Sequence, residues 1–238
     1  MRPQPLALLL AATAALTANA AHAQNIDTTA AWDGGNTMGG FGGTPTYGQT
    51  ITAPAGHDRL TGFSFYIDST GQSRAFRAAV YAWNVAQQRA VGEALWQSAP
   101  VTIASAGGHI LEHAFAPPGG VPLTPEQTYV LLGTTLYDTG SGSMNWGWLM
   151  SDPYSSGGFV YLGSTDPADL TGTAWSGTGA RDLVFKATFA AAPPPPPAQA
   201  APVPVPGPQG AALALLGLAM SGATLRFRRL LRPGPRKP

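Results

Sequence analysis

The string in this 238-residue chain whose spacing matches a defined chemistry is His109-Ile110-Leu111-Glu112-His113. An H-x-x-E-H pattern holds zinc and activates water when a helix stacks residues four apart over one metal. Gly107-Gly108 before it and Pro117-Pro118 after it leave space for a strand only. On a strand the two imidazoles share a face but stand roughly 13 Å apart. A sheet surface is the reading, with no metal site. Carboxylates come next: Asp27, Asp33, Asp138, Asp152, Asp166 and Asp169 sit among Gly, Ser and Thr. Paired carboxylates can hydrolyse glycosidic bonds, and hard oxygen ligands in loops suit calcium. None of these residues forms a D-x-D-x-D-G loop, so solvated or turn-capping roles fit better. A structural calcium is the one ion they would suit, and no cofactor is expected. There is no cysteine, no G-x-S-x-G string and no glycine-rich loop leading into a helix; Gly39-Gly40-Phe41-Gly42-Gly43 lacks the strand and helix that phosphate binding needs. Nothing supports catalysis.

Aromatic residues offer binding chemistry instead. Trp146 and Trp148 occupy alternate positions of Met144-Asn145-Trp146-Gly147-Trp148, while Tyr154 and Trp175 come from nearby loop-like segments. Exposed, these four rings could stack on sugars, with neighbouring Asn and Asp taking the hydroxyls. Buried, they would simply fill a core between sheets. Trp83 and Trp96 read as core.

The elements that must position these residues are strands. Residues 60–68 alternate, with Leu60, Gly62, Ser64 and Tyr66 opposite Thr61, Phe63, Phe65 and Ile67. Residues 75–83 place Phe76, Ala78, Val80 and Ala82 opposite Ala75, Arg77, Ala79, Tyr81 and Trp83. Further strands are predicted at 47–52, 94–98, 101–103, 109–115, 128–136, 144–150, 158–162 and 183–189. Asp68-Ser69-Thr70-Gly71, Pro117-Pro118-Gly119-Gly120 and Ser155-Ser156-Gly157-Gly158 punctuate them as turns. About ten short strands without a long helix predict an all-β fold, an antiparallel β-sandwich with jelly-roll topology preferred over an immunoglobulin-like one. No repeat stands out, which excludes a propeller or solenoid.

Composition bounds the rest. Between Gln24 and Gln209 lie six basic residues (Arg59, Arg74, Arg77, Arg89, Arg181, Lys186) and all 12 acidic ones, a net charge near −6. An acidic body without a basic stripe argues against nucleic-acid binding. Lacking disulfides, the domain must hold itself by burial, and residues 25–190 suffice for one core.

The two ends carry addresses. Arg2 flanks an apolar run at 6–16, and Ala21-His22-Ala23 is a small-x-small pattern that a signal peptidase accepts, making Gln24 the new first residue. That run is short of the ~20 residues a span requires, so residues 1–23 read as a cleaved signal peptide and residues 24–190 as the sandwich domain. Residues 191–209 follow as a Pro-rich linker. Within it Pro193 to Pro197 fix φ and cannot join a ladder, which predicts a stiff polyproline II spacer. Residues 210–225 hold no charge and are apolar all round. As a helix they would be about 24 Å long, a short transmembrane helix whose flanking arginines can reach the head groups. Arg226, Arg228, Arg229 and Arg232 then begin a basic tail, 226–238, which the positive-inside rule places in the cytoplasm.

Val203-Pro204-Val205-Pro206-Gly207-Pro208, the Ala/Leu/Gly segment and the arginine cluster together resemble the tripartite PEP-CTERM sorting signal of exported Gram-negative proteins. Val205 stands where that signal usually carries glutamate, so the tail looks like a Val-Pro-x-Pro variant. The resemblance covers about the last 35 residues. It implies an exosortase-type membrane protease that cuts near the proline motif. It also implies an inner-membrane precursor facing the periplasm, then a cell-surface or secreted product linked to exopolysaccharide and biofilm. The expected function is a non-enzymatic surface or extracellular-matrix protein. A carbohydrate-binding module is the alternative, and a glycan hydrolase stands behind both.

Overall fold

The computed structural model of the chain describes residues 23–69, 74–103, 107–138 and 142–191. Ala21, the sorting motif Val203 to Pro206, Arg226, Arg228, Arg229 and Arg232 lie outside them, as do nearly all of the signal peptide and linker and the whole apolar segment and tail. Among the described residues no helix is long and apolar enough to cross a membrane.

The chain runs through β1 (Gln24–Asp27), β2 (Thr37–Gly40), β3 (Thr46–Thr52), β4 (Arg59–Ser69) and β5 (Arg74–Asn84). It continues through β6 (Arg89–Gln97), β7 (Val101–Ile103), β8 (Leu111–Phe115), β9 (Val121–Pro122) and β10 (Thr128–Thr134). After β11 (Met144–Gly147) and β12 (Gly158–Leu162), one short helix, α1 (Asp169–Gly172), precedes β13 (Ser176–Thr178) and β14 (Phe185–Ala190). All strand pairings are antiparallel, and the strands form two sheets, an all-β sandwich. The first sheet is built on β4, with β8 and β9 along one edge and β14 and β11 along the other. β1 and β2 pair outside β14 and β11. The second sheet has the order β13-β12-β3-β10-β5-β6, with β7 also on β5.

Period-2 patterning explains the core. Phe63, Phe65 and Ile67 of β4 face Phe76, Ala78 and Val80 of β5 across the interior, all buried. Trp146 sits at its centre, its ring centroid 5.0 Å from that of Phe65 and 5.3 Å from that of Phe41. β10 makes room with Gly133, where an added Cβ would fall 2.8 Å from the Trp146 ring.

Two departures from strict alternation have local causes. Leu60 belongs by period to the face of Ser64 and Tyr66, yet it is fully buried in the core. Gly62 pairs with Thr188 and Leu60 with Phe189, so Thr61 is an extra residue in β4, a β-bulge that turns Leu60 inward. In the β5–β6 pair the register jumps from Val80–Trp96 to Ala82–Val91, with Gly92 at φ +74° inside the excursion.

The second sheet is also covered on its outer side. Tyr81, Trp83, Val130, Leu132, Val160 and Leu162 form a separate buried cluster beneath Leu170 of α1 and Trp175. The indole N–H of Trp175 donates to the Leu170 carbonyl at 3.0 Å, which ties this covering segment together.

Candidate functional site

The structure does not assemble the four-ring sugar face drawn from the sequence. Trp146 is fully buried between the sheets and Trp175 is buried in the outer cluster, packed edge-on against Trp83 at 5.5 Å. Neither ring has a free face, so both belong to the packing reading. The alternation of Trp146 and Trp148 does not continue on β11 because the strand ends at Gly147, leaving Trp148 in a single bridge to Leu183. Trp148 is half-buried, and the Arg181 guanidinium lies 4.8 Å over its ring. Tyr154 is also half-buried. Its hydroxyl accepts from the Thr52 N–H at 2.9 Å, and its ring packs edge-on against Phe185. Gln24 begins β1 and pairs with Phe189, with Ala23 exposed just before it.

The H-x-x-E-H residues do not converge. β8 starts at Leu111, so His109 lies ahead of the strand, while Glu112 and His113 point to opposite faces of it. Glu112 is held on the outer face of the first sheet by the Ser64 hydroxyl (2.7 Å), the Tyr66 hydroxyl (3.0 Å) and Lys186 (3.2 Å). The Ser64 hydrogen bond leads the effects that hold its carboxyl below the usual range. Burial lowers the His113 imidazole instead. Among the described residues no three His, Asp or Glu side chains gather around a point where a metal could sit. Asp33 and Asp169 cap turns: Asp33 accepts from Gly35 N (2.9 Å) and Asn36 N (3.0 Å), and Asp169 from Ser164 and Thr173.

One carboxylate is unusual. Asp182 is fully buried, accepting from Gln49 Nε2 at 2.7 Å and from Tyr154 N at 2.9 Å. Gln49 is itself fixed, because its Oε1 accepts from Leu183 N. Loss of water around Asp182, with Asp152 nearby, pushes its carboxyl up to about 6. Enclosed as it is, it meets no substrate; it fastens β3 to the segment entering β14.

Among the described residues a groove of about 400 Å³ lies beside the outer cluster. The buried Thr50, Gly158 and Trp83 line it together with Val85 and Gln88 of the β5–β6 turn and the exposed Ser155 and Gly179. The glycines are structural here: at Gly157 an added Cβ would fall 1.8 Å from the Thr50 carbonyl oxygen. A second depression of about 440 Å³ shares Trp83, Val85 and Thr128 with the groove. A third of about 270 Å³ shares Ser156 and contains Tyr154. Sequence reasoning placed Trp83 in the core and read Ser155 to Gly158 only as a turn. The signal for a groove, small residues on β12 and β13 opposite a hairpin, depends on a register that spacing does not reveal. Comparison with known proteins finds no matching family model, no matching curated protein and no matching solved structure.

Proposed function

We propose that the chain is an exported, non-enzymatic surface or extracellular-matrix protein whose sandwich body is delivered by a signal at each end. The observation that carries this reading is the extent of the body. The first strand starts at Gln24, the residue after the expected cleavage point, and the last ends at Ala190, just before the proline run. The buried apolar side chains of the described residues all lie between Phe41 and Phe189. Gln24 pairs with Phe189, which puts the start and end of the body side by side.

In this reading a signal peptidase removes residues 1–23, the uncharged segment 210–225 holds the precursor in the inner membrane facing the periplasm, and an exosortase-type protease acts at Val203 to Pro206. The product goes to the cell surface or is released, where extracellular polysaccharide is the partner and nucleic acid is not. The strand order also supports a jelly roll. β1/β2, β11/β14, β4 and β8/β9 lie side by side in one sheet, and β3, β10, β5 and β6/β7 in the other, the interleaving that two Greek keys produce. Against hydrolysis stands the lining of the depressions, which pairs no two carboxylates: Glu126 is the single one along the groove and the two depressions beside it, and Glu112, bridged to Lys186, is the single one in a fourth on the first sheet.

Fractionation of Gram-negative cells expressing the chain with and without residues 203–238 tests the reading. The full chain is expected in the membrane fraction and the truncated one soluble in the periplasm or medium. Equal distribution of the two would overturn it.

A further inference from the structure

We propose that the groove over the outer face of the second sheet is a binding site for an uncharged polysaccharide strand. Its position makes it reachable: Val85 on one wall is 58% exposed, and Ser155, Ser156 and Gly179 on the other are exposed. The lining of the groove contains no Asp, Glu, Lys, Arg or His, although acidic side chains outnumber basic ones two to one between Gln24 and Gln209. The hydroxyls of Ser155, Ser156 and Thr128 have no side-chain hydrogen bond among the described residues. Each can donate and accept at once, which suits a ligand whose own polar groups are hydroxyls. The exposed Val85 supplies the apolar surface that the C–H face of a sugar ring needs.

Two features extend this from a sugar to a chain. The groove runs into the neighbouring depressions through Trp83, Val85 and Thr128 on one side and Ser156 on the other, so successive units have successive places to lie. The one charged side chain along that path is Glu126. In the second depression a uronate polymer would meet this carboxylate with no cation in the lining to offset it, whereas a neutral polymer carries no charge to be repelled. The proposal rests on the exported, matrix-facing reading for where the ligand is met, and on the groove alone for its class.

The test is calorimetric titration of the full chain, purified in detergent, with cellohexaose, laminarihexaose, maltohexaose and, as the anionic comparison, a guluronate hexamer. Saturable binding of at least one neutral hexamer is expected, with the guluronate about tenfold weaker or more. Val85→Glu removes the exposed apolar side chain from the groove lining, and Gly179→Phe adds bulk where no atom lies within 4 Å of the new Cβ. Both should weaken the neutral ligand by about tenfold or more while leaving the melting temperature unchanged. Absence of saturable binding by every neutral hexamer, equal binding of guluronate, or wild-type affinity in both variants overturns the site. The mass of the same protein recovered from cells reads the delivery account separately, since a chain that binds glycan yet keeps residues 1–23 would sink that account and leave the groove standing.

Discussion

Asp182 shows how one side chain can dominate pH behaviour. Its carboxyl lies deep between β3 and β14 with two neutral donors, Gln49 and the Tyr154 amide, and without a paired cation. The charged groups around it are Asp152, which repels it, and its neighbour Arg181, whose guanidinium is engaged over Trp148. With the folded value near 6 against an ordinary 3.8, the folded state binds more protons than the unfolded one between those limits. Stability from this group is therefore full below about pH 4, falls as pH rises towards 6, and stays low above it. A shift of about two units sets the scale at ~3 kcal/mol or less. In urea titrations between pH 4 and 7, wild type should lose stability relative to Asp182→Asn as pH rises. A wild-type minus variant difference that stays constant across that window would contradict this. Glu112 acts in the opposite sense, because its lowered carboxyl stabilises above the ordinary range and loses that contribution in acid.

The strands are where sequence and structure agree most, and where the exceptions have identifiable causes. Phe63, Phe65 and Ile67, and Phe76, Ala78 and Val80, announce their buried faces by alternation alone. Leu60 does not, because one inserted residue, Thr61, reverses the faces beyond it. Deleting Thr61 should close the bulge with Leu60 still inward and Arg59 still outward, because Leu60 then follows Gly62 by plain alternation, and should cost no more than ~1.5 kcal/mol in thermal unfolding, the worth of the lost Thr61–Thr188 hydrogen bond. A loss of more than ~3 kcal/mol would show that Leu60 does not keep its inward place beside Gly62. β1, β2, β9 and β13 escaped notice because they span two to four residues, below the length at which a period can be read. The covering of the outer face was illegible for a related reason. Leu170 and Trp175 sit in a stretch without periodicity, and only the fold brings them over Trp83 and Val160. Leu170→Ala should destabilise by about 2–4 kcal/mol, with a red shift of tryptophan emission as Trp175 gains water; an unshifted spectrum and unchanged midpoint would mean that α1 covers nothing of consequence. The same cause misplaced the candidate site. Trp146, Trp148, Tyr154 and Trp175 look equivalent as aromatic letters, and which ring meets solvent depends on a strand ending at Gly147 and a glycine at 133 that admits Trp146 to the core.

For the molecule as a whole, the addresses and the body divide the chain between them. At both ends the proposal rests on charge, length and order alone: Arg2 and the run after it, Ala21 and Ala23, the prolines, the uncharged segment and its arginines. In the body the same composition said only that no catalytic set stood out, and the groove emerged from strand register. The extent of the sandwich, from Gln24 to Ala190, matches the bounds that the proposed processing would give the body. The central claim of the account is that the terminal segments direct the body out of the cell interior and are processed there. Intact-mass measurement of the protein recovered from the envelope and medium of a Gram-negative host tests this most directly. The account predicts an N-terminus at Gln24 and, in the released fraction, a C-terminus near Pro206. A chain recovered from the cytosol with residues 1–23 and Arg236-Lys237 still attached would contradict it.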